Sequence, residues 1–136
     1  MEWANQVILA LKERRSVLRL FNVERNQTAV ETADGVTETF FDGSVLRHFF
    51  GARQRMLLIG AGQLAVAISE LAQALDFAVI VTDPRKQMLE LWEGPEVTLL
   101  GGMPDDVIRE LGVDAQTAII TLSHDPRIDD MALMEA

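Results

Sequence analysis

The chain has 136 residues, 49% of them apolar and 24% charged, with a net charge of −9 and no cysteine. That length supports a modest domain with a real core, and the composition is that of a globular rather than a disordered chain. The missing cysteines exclude disulfides, thiolate zinc sites and cysteine nucleophiles. No apolar stretch approaches the ~20 residues that cross a bilayer. Met1-Glu2-Trp3-Ala4-Asn5 lacks the basic start of a secretory signal, so the expected location is the reducing cytoplasm. The charge is uneven. Residues 1–55 hold eight Lys/Arg and seven Asp/Glu, whereas residues 56–136 hold four and fourteen. So acidic a second half is a poor match for nucleic acid, which needs clustered cations. Backbone N–H groups can still hold the phosphates of a small nucleotide.

Residues 4–13 carry Val7, Ile8 and Leu11 at helical spacing. Residues 17–23 read as a strand. Residues 28–33 and 36–41 flank Asp34-Gly35, an Asp-Gly step between β-prone runs, which is a hairpin signal. Asp42-Gly43 is a second turn, and Ser44 to Phe50 reads either as a short strand or as a link. Residues 1–55 are therefore expected to form a small α+β segment, one helix with antiparallel strands.

Met56-Leu57-Leu58-Ile59 is an apolar run that ends at Gly60, and Gly62 and Ala65 follow. Gly60-x-Gly62-x-x-Ala65 matches the phosphate-cradling turn of a dinucleotide-binding βαβ unit. The first glycine lets the chain turn, the second lets a phosphate approach the backbone, and the third small residue lets helix pack on strand. Leu64, Ala67/Ile68, Leu71 and Leu75 are expected to be the buried stripe of helix 63–75, ended by Asp76. Residues 77–82 form a second strand, closed by Asp83-Pro84-Arg85. A helical turn around Met88, Leu89 and Trp92 stops at Gly94-Pro95, and Val97 to Leu100 is a third strand. Pro104 starts a helix, with Asp105 and Asp106 in its first turn and Gly112 as its stop. Thr117 to Leu122 is a fourth strand, ending at Ser123-His124-Asp125-Pro126, and Asp129 or Asp130 is expected to cap a last helix from Met131. The alternation predicts an α/β fold, a Rossmann-like doubly wound parallel sheet over residues 56–136. With four strands it is expected to be truncated.

The candidate site gathers at the turn and at the strand ends. Gly60, Ala61, Gly62, Gln63, Leu64 and Ala65 shape a phosphate site at the helix start. Asp83 stands where a carboxylate accepts from a ribose diol. Arg85 is compatible with a 2′-phosphate, with stacking on adenine, or with a solvated turn, so NAD and NADP both stay open. His124 and Asp125 lie at the carboxyl end of the fourth strand, where open α/β sheets bind ligands, although a turn histidine also explains His124. No metal site is expected, because neighbouring residues seldom converge on one ion and Asp129 and Asp130 read as helix caps. The chain has no tyrosine, which excludes a Tyr–Lys proton relay.

Two stretches, L-L-I-G-A-G-Q-L-A at 57–65 and L-S-H-D-P-R-I-D-D-M-A-L at 122–133, together resemble the nucleotide-binding-like domain of the XdhC/CoxI family, the xanthine dehydrogenase accessory proteins. Asp83-Pro84-Arg85 is similar to that family's acidic strand end followed by Arg. The resemblance implies a cofactor-binding chaperone rather than a catalyst. Such a protein would bind the molybdenum cofactor (molybdopterin), help it acquire its terminal sulfur and deliver it to a molybdenum hydroxylase. The implied partners are a cysteine desulfurase and the target apoenzyme, and an open sheet edge also suits a homodimer. This chain departs from the family pattern at Gln63, where the family commonly has His, and in having no cysteine. The competing readings are an NAD(P)-dependent oxidoreductase and an interaction module that holds no small molecule.

Overall fold

The computed structural model describes residues 1–33 and 38–136. Its contacts divide the chain into two compact units, Met1–Arg53 and Gln54–Ala136.

The first unit begins with helix α1 (Glu2–Lys12), followed by strands β1 (Val17–Asn22), β2 (Gln27–Thr32), β3 (Phe40–Phe41) and β4 (Val45–Phe50). The sheet runs β2-β1-β4-β3, and its pairings are antiparallel. α1 buries Val7 and Ala10 against Val17, with Trp3, Leu11, Val30 and Phe50 around them. The sequence pairs 28–33 with 36–41 in a hairpin, whereas β2 pairs with β1, and Phe40–Phe41 pairs with β4. The Asp34-Gly35 turn itself lies outside the described residues. The ambiguous stretch at Ser44 is settled as a strand. Asp42 Oδ1 accepts from the N–H groups of Ser44 and Val45 at 3.0 and 2.9 Å, closing the turn that aligns β4 with β3.

The second unit alternates strand and helix: β5 (Arg55–Ile59), α2 (Gln63–Ala74), β6 (Ala78–Asp83), α3 (Lys86–Glu90), β7 (Thr98–Gly101), α4 (Pro104–Leu111), β8 (Thr117–Thr121) and α5 (Pro126–Glu135). All pairs are parallel, in the order β7-β6-β5-β8. The period-two alternation of β5 and β6 divides their side chains between two cores. Leu57, Ile59 and Ile80 join Val107 and Ile108 of α4 and Ala132 of α5. Leu58, Val79 and Val81 join Ala65 and Ala72 of α2, with Met88, Leu89 and Trp92 beside them. Covered on both faces, these strands read as continuous apolar runs. Arg55 ties the opposite end of the sheet, donating to the carbonyls of Leu111 and Gly112 at 3.2 and 3.0 Å.

Two expectations for this second unit are also corrected. The buried face of α2 is not the leucine stripe. Leu64, Leu71 and Leu75 are 60%, 67% and 72% exposed, while Ala65, Ser69 and Ala72 are buried. The small side chains let the helix axis come close to β5 and β6, and leucines at those positions would hold it away. The last helix begins at Pro126, not Met131. Asp125 caps it, accepting from Arg127 N–H, and Pro126 sits in its first turn, as Pro104 does in α4. Asp129 lies inside that first turn and accepts from the Ser123 hydroxyl at 2.6 Å.

Candidate functional site

The strand order reverses at β5: β6 and β7 lie on one side of it and β8 on the other. Ligands of open α/β sheets bind at such a switch point, beyond the carboxyl ends of the strands. There a cleft of about 400 Å³ is lined by Gly60, Asp83, Pro84, Arg85, Ser123, His124, Asp125 and Ile128. Five of these, Gly60, Asp83, Arg85, His124 and Asp125, are expected from the sequence. Ala61, Gly62 and Gln63 instead line a smaller depression of about 170 Å³, with Val66, Met88, Leu91, Trp92 and Glu93. Ala65 is fully buried under the turn, and Leu64 is exposed and lines neither space.

The two turn glycines have different reasons to be glycine. Gly60 has φ +114°, and a Cβ there would lie 3.0–3.2 Å from the backbone of Leu122 and Ser123. Its role is internal, because the chain leaving β8 at Leu122–Ser123 runs where a side chain would go. Gly62 has an ordinary extended backbone, φ −88° and ψ −171°, and a Cβ would meet nothing within 4 Å. The folded chain does not require glycine at this position. Gly62 faces open space at the start of α2, which has no side-chain cap among the described residues. A phosphate fits both features, since uncapped N–H groups at a helix start favour an anion.

Asp83 is 1% exposed and fully engaged by the protein. Its Oδ1 accepts from Arg85 N–H and Nε, both at 2.9 Å. Its Oδ2 accepts from Ala61 N–H at 3.0 Å and from Arg85 Nη2 at 2.8 Å. A carboxylate offers about four acceptor directions, and four protein donors occupy them. Burial alone would raise the Asp83 carboxyl. The Arg85 side chain, the Ala61 and Arg85 N–H groups and the Arg85 charge together hold it below its ordinary value. Asp83 thus latches the glycine turn to the end of β6.

The same latch recurs across the cleft. Asp125-Pro126-Arg127 repeats Asp83-Pro84-Arg85 in sequence and in geometry. Asp125 Oδ1 accepts from Arg127 N–H at 3.0 Å and Nε at 3.1 Å, and Oδ2 from Nη2 at 2.9 Å. The Arg127 side chain and N–H hold the Asp125 carboxyl below its ordinary value. Both turns use an Asp to orient a planar guanidinium through a bidentate fork. Arg127 does not figure among the sequence candidates, and the repeated tripeptide is the signal that finds it. His124 is exposed at the cleft mouth. Ser123 is committed to the α5 cap, bonding Asp129 Oδ1 and the Asp125 backbone, and among the described residues it makes no hydrogen bond to His124. No group of three or more metal-ligating side chains occurs among the described residues.

A parallel sheet of this order, with a glycine turn and a cleft at its switch point, defines a Rossmann-type domain. The family model described as the XdhC Rossmann domain matches residues 56–136, and the chain belongs to that family. Among solved structures it is similar to a protein described as a xanthine dehydrogenase from Bacillus halodurans, with a TM-score of 0.74 and 17% identity. That likeness, which at this identity is one of fold, covers 98% of this chain and 46% of the other, so the chain spans about half the length of that protein. No curated protein sequence matches.

Proposed function

We infer that residues 54–136 hold a phosphate-bearing cofactor without transforming it, and that the cofactor is molybdopterin. In this reading the protein is an accessory factor that passes the molybdenum cofactor to an enzyme of the xanthine dehydrogenase type, with that apoenzyme and a cysteine desulfurase as partners. Membership of the XdhC family supports the accessory role. The observation that carries the phosphate site is the cleft at the switch point, where Gly60, Arg85, His124 and Asp125 leave room that a ligand can use, beside the uncapped start of α2 two residues after Gly60. Gly60 and Ala65 shape the glycine turn, Asp83 fixes that turn to β6, and His124 and Asp125 line the facing wall of the cleft. The cofactor would supply the metal–sulfur chemistry when bound, and the chain's own part is to bind, orient and release it. Catalysis by the chain is not required, since Ser123 is tied to Asp129 and Asp83 to Arg85.

The test is a thermal shift of the protein with molybdopterin, NADH and NADPH, on wild type and Gly62→Ser. Serine suits the cap position, so the variant is expected to melt at or slightly above the wild-type temperature, by about a few tenths of a kcal/mol in stability. Its hydroxyl takes up the N–H groups at the start of α2 that an anion would otherwise meet, so molybdopterin should bind at least about tenfold more weakly. For the wild type, a hundredfold excess of ligand over its dissociation constant adds ~2.7 kcal/mol. A shift with nicotinamide cofactors alone would replace this reading with that of an NAD(P)-dependent oxidoreductase. No shift with any ligand would favour an interaction module.

A further inference from the structure

The mirrored Asp-Pro-Arg turns change what the cleft offers to a ligand. A free carboxylate at the end of β6 would read a ribose diol. Here Asp83 is buried and its four acceptor positions are filled, two of them by the charged fork of Arg85. Displacing Arg85 with two neutral hydroxyls would exchange charge-assisted bonds for weaker ones around a buried anion. Arg85 therefore stays on Asp83 and turns its remaining surface outward. Its side chain is 57% exposed and lines the cleft, while its Nη1 is not engaged by Asp83. On the opposite wall Asp125 lines the cleft and orients Arg127, whose side chain is 87% exposed.

We propose that Arg85, with Arg127 as its counterpart, is the side chain that meets the ligand, and that the group it receives is a phosphate rather than a ribose diol. Asp83 and Asp125 are positioning residues: each carboxylate holds its arginine's planar face in one orientation, Arg85 on the cleft lining and Arg127 on the exposed surface beside Asp125. The proposal deepens the reading that the cleft takes a phosphate-bearing cofactor, and rests on it for the choice of molybdopterin. It favours a cofactor that ends in a phosphomonoester over a dinucleotide form that presents a sugar diol at β6. The guanidinium fork matches phosphate oxygens, and its tether to the buried Asp83 removes much of the entropy that an arginine otherwise loses on binding.

The experiment titrates the full chain with 5′-AMP, 2′,3′-dideoxyadenosine 5′-monophosphate and adenosine, and separately with molybdopterin. The two monophosphates are expected to bind within about twofold of each other, and adenosine at least about tenfold more weakly. Arg85→Gln should weaken the monophosphates and molybdopterin at least about tenfold, and Arg127→Gln about threefold. Arg85→Lys, which keeps the charge without the fork, should recover part of the loss. It replaces Arg85→Gln if that variant melts below the assay temperature. A dideoxy ligand bound tenfold more weakly than 5′-AMP would return the diol contact to Asp83 and overturn the proposal. Wild-type molybdopterin affinity in Arg85→Gln would also overturn it, while leaving the proposed function standing. Arg85-dependent binding of 5′-AMP without any binding of molybdopterin would do the reverse, and no binding of any probe would overturn both.

Discussion

Asp83 bonds the glycine turn, the end of β6 and Arg85 at once. Its removal leaves the Ala61 N–H without its acceptor in a buried turn and frees Arg85 to solvent. An unpaired buried donor costs about 1–3 kcal/mol, and the lost charge-assisted bonds add to that, so Asp83→Ala should lower stability by roughly 2–3 kcal/mol at pH 7. The pH dependence follows from the sign of the shift. The folded carboxyl titrates below 3.8, so its stabilising contribution is complete above the unfolded value and is lost as pH falls through the folded one. The gap between wild type and Asp83→Ala should be equal at pH 7 and pH 5 and narrower at pH 3. Urea midpoints read by Trp92 fluorescence, in a Trp3→Phe background, measure it. A gap of the same width at pH 3 would mean that the Asp83 charge adds nothing to the latch.

Helix α2 carries two apolar faces at helical spacing, and only one is buried. Leu64, Leu71 and Leu75 form the larger, exposed set, and Ala65, Ser69 and Ala72 the smaller, buried one. Hydrophobicity ranks the leucine face first; the close approach of helix to strand selects the small one. Leu71→Gln should therefore cost less than about 0.5 kcal/mol, as exposed substitutions do. Ser69→Ala should stabilise by about 1 kcal/mol, because the Ser69 hydroxyl is buried without a partner among the described residues and alanine is the better helix former. Thermal melts of the two variants decide between the faces. A loss of 2–3 kcal/mol in Leu71→Gln would restore the leucine stripe. The central parallel strands were legible because doubly covered strands are continuous apolar runs bounded by Gly, Asp or Pro, as β5 and β6 show. The start of α5 was not, because Asp129 and Asp130 drew the cap away from Asp125-Pro126, although Pro104 had marked the start of α4 correctly. The antiparallel order of the first unit was hidden for another reason. Neighbouring strands in sequence usually pair, and here β1 takes β2 and β4 as its partners. Of the candidate site, the strand ends and the glycine turn could be read from residue order. Which acceptors were already filled could not, since that depends on the fork between Asp83 and Arg85.

Over the whole molecule the cleft holds an oriented cation within a strongly acidic chain. The net charge is −9, and residues 56–136 contain four Lys/Arg against fourteen Asp/Glu. Each of those four cations has an acidic partner: Arg85 with Asp83, Lys86 with Glu90, Arg109 with Asp105, Asp106 and Glu135, and Arg127 with Asp125. In the proposed function an anionic cofactor would therefore approach against a repulsive field and meet attraction only at contact. Salt acts unequally on the two. The long-range field is screened beyond a Debye length of about 10 Å at 0.1 M, whereas a hydrogen-bonded contact inside the cleft is screened much less. Raising the salt from 20 to 200 mM should thus speed association of a phosphate-bearing ligand by about threefold, with a smaller change in the dissociation rate. This is the reverse of a protein that gathers phosphates with a basic surface, whose binding weakens steeply with salt. Stopped-flow mixing with 5′-AMP at the two salt concentrations measures both rates. An association rate that falls with salt would show that the ligand is steered by a positive surface, which the paired cations of this domain do not provide.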